Sequence, residues 1–133
     1  MSDGFLLHMR VGLCAGGVAA LLALTACAVR SAADKAHMSA TAQAEDSRQH
    51  LEALVPYDLA PLSPDLARRA LAPGGVLLSS TGTNSEATVE ARLVGVGWSD
   101  SFEATRTDLP VCFRFTRHGG SHAFQVTELD SCP

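Results

Sequence analysis

The chain has 133 residues, a formal net charge of −4, and 47% hydrophobic residues with one Trp and one Tyr. Such a length suits a single domain, and its core must be built from aliphatic side chains and Phe. The 10 Lys and Arg residues form no basic run, so the positive stripe that phosphate backbones require is missing and no nucleic-acid partner is expected.

Residues 11–29 carry no charge and lie between Arg10 and Arg30. A secretory signal has a positive start, an apolar stretch of about 7–15 residues and a small-residue cleavage site, whereas a spanning helix needs about 20 apolar residues. Here residues 11–24 supply the apolar stretch, and Thr25 and Ala26 follow at once. Leu24-Thr25-Ala26-Cys27 resembles the lipobox of bacterial lipoprotein precursors, in which an aliphatic residue and two small ones precede the lipidated cysteine. The resemblance implies that residues 1–26 are a signal peptide removed by the lipoprotein signal peptidase. It also implies that Cys27 carries a diacylglyceryl thioether, making membrane lipid the partner of the mature chain. It reaches no further than residue 27. Cys14 lies in the same run, but the bulky Leu13 before it does not fit the pattern. Asp3 is unusual in a signal start, and Met9-Arg10 would open a shorter signal of more usual form.

The competing reading keeps residues 11–29 as an uncleaved single span, since 19 residues at about 1.5 Å each just cross the hydrocarbon. Gly12 and Gly16 would then form a GxxxG pair. Arg10 on one side is matched by Arg30 and Lys35 on the other, so charge does not orient the span. Cysteine arithmetic favours the lipoprotein. With Cys14 discarded and Cys27 lipidated, Cys112 and Cys132 remain to pair in a compartment where disulfides persist.

Residues 27–45, rich in Ala, Ser, Thr and Gln, read as a lipidated tether, with residues 46–133 as a small extracytoplasmic domain. Ala33, Ala36, Ala40, Ala44, Ser47, Leu51 and Leu54 form a weak helical stripe that strengthens only near Leu51, so order is expected from about Glu45. Ser63-Pro64-Asp65 supplies an N-cap, a proline at the first helical position and an acid in the first turn. The short helix so opened runs through Arg68 and Leu71 and ends at Pro73-Gly74-Gly75. Residues 76–81 and 87–98 form a candidate hairpin about Gly82-Thr83-Asn84-Ser85, with Ala87, Val89, Ala91 and Leu93 alternating against Thr88, Glu90 and Arg92. Residues 99–110 read as a polar connection.

Residues 111–117 and 122–129 flank Gly119-Gly120, which can supply the two positive φ angles of a tight hairpin turn. That turn sets Phe115 opposite Phe124, Phe113 opposite Val126, Arg114 opposite Gln125 and Cys112 opposite Thr127. Past Leu129 the chain must bend back to bring Cys132 to Cys112. The expected class is α+β: a small antiparallel sheet of about four strands in two hairpins, with one or two helices on one face.

Chemistry-bearing motifs are sparse. His118 and His122 form HxxxH, but the glycines between them oppose a helix and a hairpin sends the rings to opposite faces, so no metal is expected. Glu86 and Glu90 share a strand face about 13 Å apart, too far for a carboxylate pair. Asp100, Glu103, Arg106 and Asp108 form a charged loop, and Trp98 could stack a ligand, but a solvated loop and a core-edge position fit them better. There is no GxSxG elbow or phosphate-cradling loop, so neither a catalytic residue nor a cofactor is assigned. The expected role is a non-enzymatic binding or structural module of the cell envelope. A small envelope enzyme built around the charged loop and the hairpin tip is the weaker alternative.

Overall fold

A computed structural model describes residues 30–133; Cys14, Cys27 and the signal segment lie outside them. Two helices and four strands follow in the order α1 (Ala32–Leu54), α2 (Pro64–Ala70), β1 (Val76–Gly82), β2 (Ala87–Trp98), β3 (Arg106–Thr116) and β4 (Gln125–Glu128). The strands form one antiparallel sheet in the order β1-β2-β3-β4, so each pairs with its chain neighbour. The α+β class follows. Among the described residues no helix is long and apolar enough to cross a membrane.

Helix α1 starts at Ala32, well ahead of Glu45 where order was expected. Its buried stripe is Ala36, Ala40, Ala44, Ser47 and Leu51, spaced three or four apart. Four of the five are small. Their burial contributes little by hydrophobicity alone, and what makes it possible is the floor beneath them. A Cβ on Gly95 would overlap the Ala36 carbonyl oxygen, and one on Gly97 the Ala32 carbonyl oxygen, so helix backbone rests directly on strand backbone. Small residues on both sides allow this approach.

Helix α2 forms as its cap residues predict. The Ser63 hydroxyl accepts from the Leu66 N–H at 3.4 Å, Pro64 opens the first turn, and the Leu71 N–H donates to the Arg68 carbonyl at the far end. The buried Ser47 hydroxyl ties the helix end to α1, accepting from the Ala72 N–H at 2.9 Å while donating to the Gln43 carbonyl at 2.8 Å.

Strand β2 is the spine of the sheet. Ala87, Val89, Ala91 and Leu93 point into the core, while Thr88, Glu90 and Arg92 face outward, as the alternation predicts. Phe113, Phe115 and Phe124 complete the core with Leu51, Val55, Leu62, Ala67 and Ala70 from the helices and the loop between them. β1 carries one extra residue at Leu78, where the register with β2 shifts between Leu77 and Ser79.

Two expectations about the second half are corrected. The polar connection after Trp98 is shorter than read, because β3 already begins at Arg106, opposite Trp98, and Pro110 lies within it opposite Val94. The β3–β4 register is also offset by two residues: Phe115 faces Val126, Phe113 faces Glu128, Arg114 faces Thr127, and the Leu129 N–H donates to the Cys112 carbonyl at 2.8 Å. A turn does close over Gly119-Gly120, with the Ser121 N–H donating to the His118 carbonyl at 3.2 Å, but only Gly120 has positive φ, at 90°. Strand pairing ends at Thr116 and Gln125, short of that turn, and within the loop Arg117 Nε donates to the His122 carbonyl at 3.0 Å. An offset of two preserves the faces, since side chains alternate with period two. The Cys112–Cys132 disulfide forms, with α-carbons 5.2 Å apart.

Candidate functional site

At the end of the sheet where β2 begins, polar groups gather around Arg117. By strand parity Arg117 continues the inward series Phe113, Phe115, and it is only 2% exposed. Its Nη1 donates to the carbonyls of Val55 (3.0 Å), Pro56 (3.3 Å) and Asn84 (3.1 Å), and its Nε to that of His122 (3.0 Å). The guanidinium carbon stands 4.5 Å from the centre of the Phe124 ring and 5.7 Å from that of Tyr57. Burial pulls the Arg117 pKa below its ordinary value, partly opposed by the negative charge of Glu52. Carbonyl dipoles and π faces thus do the work a carboxylate usually does.

Around this cation the loop after α1 runs alongside the β1–β2 turn. The Asn84 N–H donates to the Ala60 carbonyl at 2.8 Å, the Ser85 N–H to the Asp58 carbonyl at 2.9 Å, and the Asn84 amide to Asp58 Oδ1 at 2.8 Å. The Tyr57 ring packs 4.2 Å from the His122 ring, and its hydroxyl accepts from the Gly120 N–H. Tyr57, Asp58, Thr83, Ser85, Glu86 and Gly119 line a cleft of about 450 Å³ outside this network. The exposed Leu59 side chain shares this lining with the acceptors and the phenol, so the cleft presents an apolar surface beside its hydrogen-bonding groups. Asp58 is already occupied by Asn84 and by the Ala60 N–H. The Asn84 Oδ1 is buried without a partner among the described residues.

The residues singled out by sequence are dispersed. His118 and His122 are exposed on the turn, and no three His, Cys, Asp or Glu among the described residues gather as a metal site. Glu86 precedes β2 at the cleft, while Glu90 meets Arg114 across β2 and β3 at 3.7 Å. Asp100 pairs with Lys35 of α1 at 2.5 Å, and Arg106 with Asp108 at 2.7 Å. Glu103 joins the loop through its carbonyl, which accepts from the Ser101 hydroxyl at 2.7 Å. Trp98 is 51% exposed at the end of β2. Cys27 lies outside the described residues, whereas Cys112 and Cys132 are bonded to each other. Sequence reasoning missed Arg117, Tyr57, Asn84 and Glu52. For Arg117 a signal existed, since a charge in phase with two inward phenylalanines marks a buried polar group.

Helix α1 is held to the sheet by polar contacts along one side. Lys35 Nζ donates to the Trp98 carbonyl at 3.2 Å, Ser39 Oγ accepts from the Val96 N–H at 3.2 Å, and Gln43 Nε2 donates to the Val94 carbonyl at 2.9 Å. These residues are four apart, one helical turn each. They occupy the edge of β2 beyond the reach of β1, whose pairing stops at Arg92. On the opposite flank His37 meets Glu128 of β4 at 2.5 Å, above a shallow hollow of about 360 Å³ lined by Thr41, Phe113 and Val126. Further along α1, Arg48 reaches both Glu45 and Glu52 at 2.5 Å. The hydrogen bond from Arg48 holds the Glu45 carboxyl below its usual range.

Comparison with protein-family models, curated proteins and solved structures finds no match to this chain.

Proposed function

We propose that the chain is a lipid-anchored protein of a bacterial cell envelope, held at the extracytoplasmic face of the membrane through Cys27. Its folded part serves there as a non-enzymatic binding or structural module. The observation that carries this reading is Leu24-Thr25-Ala26-Cys27 at the end of an uncharged run that follows Arg10. The bonding of Cys112 to Cys132 supports it, because such bonds persist in the oxidising compartments to which exported chains are delivered. The ion pairs Lys35–Asp100, Arg106–Asp108 and Glu90–Arg114 support a non-catalytic role, because these charged side chains are engaged with one another in the fold. Two or three acyl chains, at about 0.8 kcal/mol per buried CH₂, would give the stable attachment that one does not.

Intact mass spectrometry of the protein extracted from membranes tests the proposal. The expected mass is that of a chain beginning at Cys27, with a diacylglyceryl group in place of its thiol hydrogen, with or without a third acyl chain on the new amino group, less two hydrogen atoms for the disulfide. Cys27→Ala should leave an unlipidated precursor or a soluble form. An uncleaved N-terminus preceding Cys27 in the wild-type protein would overturn the reading in favour of a single span over residues 11–29.

A further inference from the structure

We infer that the loop between β2 and β3 is a membrane-contact loop, placing Trp98 and Phe102 in the headgroup region of the phospholipid bilayer that holds Cys27. The inference rests on the anchoring proposed above and adds to it a second point of attachment on the folded domain.

Location comes first. Gly97 lies against the Ala32 carbonyl, the Trp98 carbonyl accepts from Lys35, and Asp100 pairs with Lys35, so the loop stands beside the first turn of α1. Ala32 is only five residues past Cys27. Five residues fully extended span at most about 18 Å, which ties this end of the domain to the bilayer surface. The long tether expected from composition would have imposed no such limit. The Arg117 end of the sheet is the opposite one, since Arg117 lies beside Ala87 at the start of β2 and the loop follows its last residue.

Chemistry comes second. Phe102 is fully exposed, at 108% of its reference area, and Trp98 is half exposed. The loop is nonetheless built. The Ser99 N–H donates to the Thr105 carbonyl at 2.9 Å, the Thr105 N–H to the Ser99 hydroxyl at 2.9 Å, and the Ser101 hydroxyl to the Glu103 carbonyl at 2.7 Å. These bonds hold an aromatic ring in water at the loop tip. Aromatic side chains favour the membrane–water interface, where the ring leaves water and any polar edge stays wet. Asp100 and Arg106 are already paired, leaving Glu103 as the acid at the tip, so the contact is apolar and suits zwitterionic headgroups.

Trp98 is the only Trp in the chain, so its emission reports on this loop alone. The experiment uses the full chain purified from membranes and reconstituted into phosphatidylcholine–phosphatidylethanolamine vesicles, with and without brominated acyl chains. The expected result is quenching of Trp98 by the brominated lipids, protection from aqueous acrylamide, and little change when salt is raised. Phe102→Asp should lose most of the bromolipid quenching with an unchanged melting temperature, because the ring packs against nothing. Mass spectrometry of the same sample reads the anchor separately. A lipidated Cys27 with Trp98 open to acrylamide and indifferent to bromolipid would overturn the loop contact and leave the anchor standing. An unlipidated chain whose Trp98 is still quenched by bromolipid would keep the contact and remove the anchor. An unlipidated, unquenched chain would overturn both.

Discussion

The Arg117 guanidinium lies over the Phe124 ring while donating to four main-chain carbonyls, joining the end of α1, the β1–β2 turn and the loop before β4 through one side chain. Removing it would leave buried carbonyls from three segments without a donor. Arg117→Met, which keeps the apolar stem, should cost about 2–4 kcal/mol in urea unfolding. Arg117→Lys should recover only part of this, since one ammonium cannot reproduce the planar fork. A variant as stable as wild type would show that the carbonyls find other partners.

The Cys112–Cys132 bond closes a loop with a sequence separation of 20. Fixing its ends removes unfolded-state freedom worth roughly 3 kcal/mol, a large share for a domain of this size. Reduction, or Cys132→Ser, should lower the melting temperature on the order of 10–20 °C by calorimetry. Thiol titration of the protein purified without reductant should find neither Cys112 nor Cys132 free.

Gly95 and Gly97 set the distance between α1 and β2. Gly95→Ala should destabilise by about 2 kcal/mol or more, because the new methyl meets helix backbone rather than a side chain that can turn aside. Gly74→Ala is a useful contrast. The Gly74 Cβ would meet open space, so any cost there reflects the backbone conformation at φ 82° alone. Equal losses at the two sites would contradict the close-contact account.

The two elements most readable in the sequence were those whose signals are local. Ser63-Pro64-Asp65 announced α2, and the alternation from Ala87 to Leu93 announced β2 with the correct inward face. Helix α1 was under-read because Ala36, Ala40 and Ala44 carry little hydrophobic signal, and their burial depends on glycines more than 50 residues away. The β3–β4 register failed for a related reason. A glycine pair signals a turn but does not fix how far from it pairing begins, and the bonds of Arg117 to carbonyls on other segments are legible in no local pattern. The candidate histidines and acids carried suggestive chemistry in sequence but lie apart in space, with Asp100, Asp108 and Glu90 each paired to a different cation. The acceptor cluster around Arg117 was visible only as one charge in an apolar phase.

The three contacts by which Lys35, Ser39 and Gln43 occupy the edge of β2 also set an order of events. Helix α1 is synthesised before the strand it protects, which follows 51 to 63 residues later. Such distant partners meet late, because loop closure must precede their reward. Until then the far half of β2 offers Val94 and Val96 with unpaired main chain, a template for another nascent chain. Under the proposed anchoring at Cys27, the helix would search a smaller volume for that strand, and the interval in which the chain is vulnerable to misassembly would shorten.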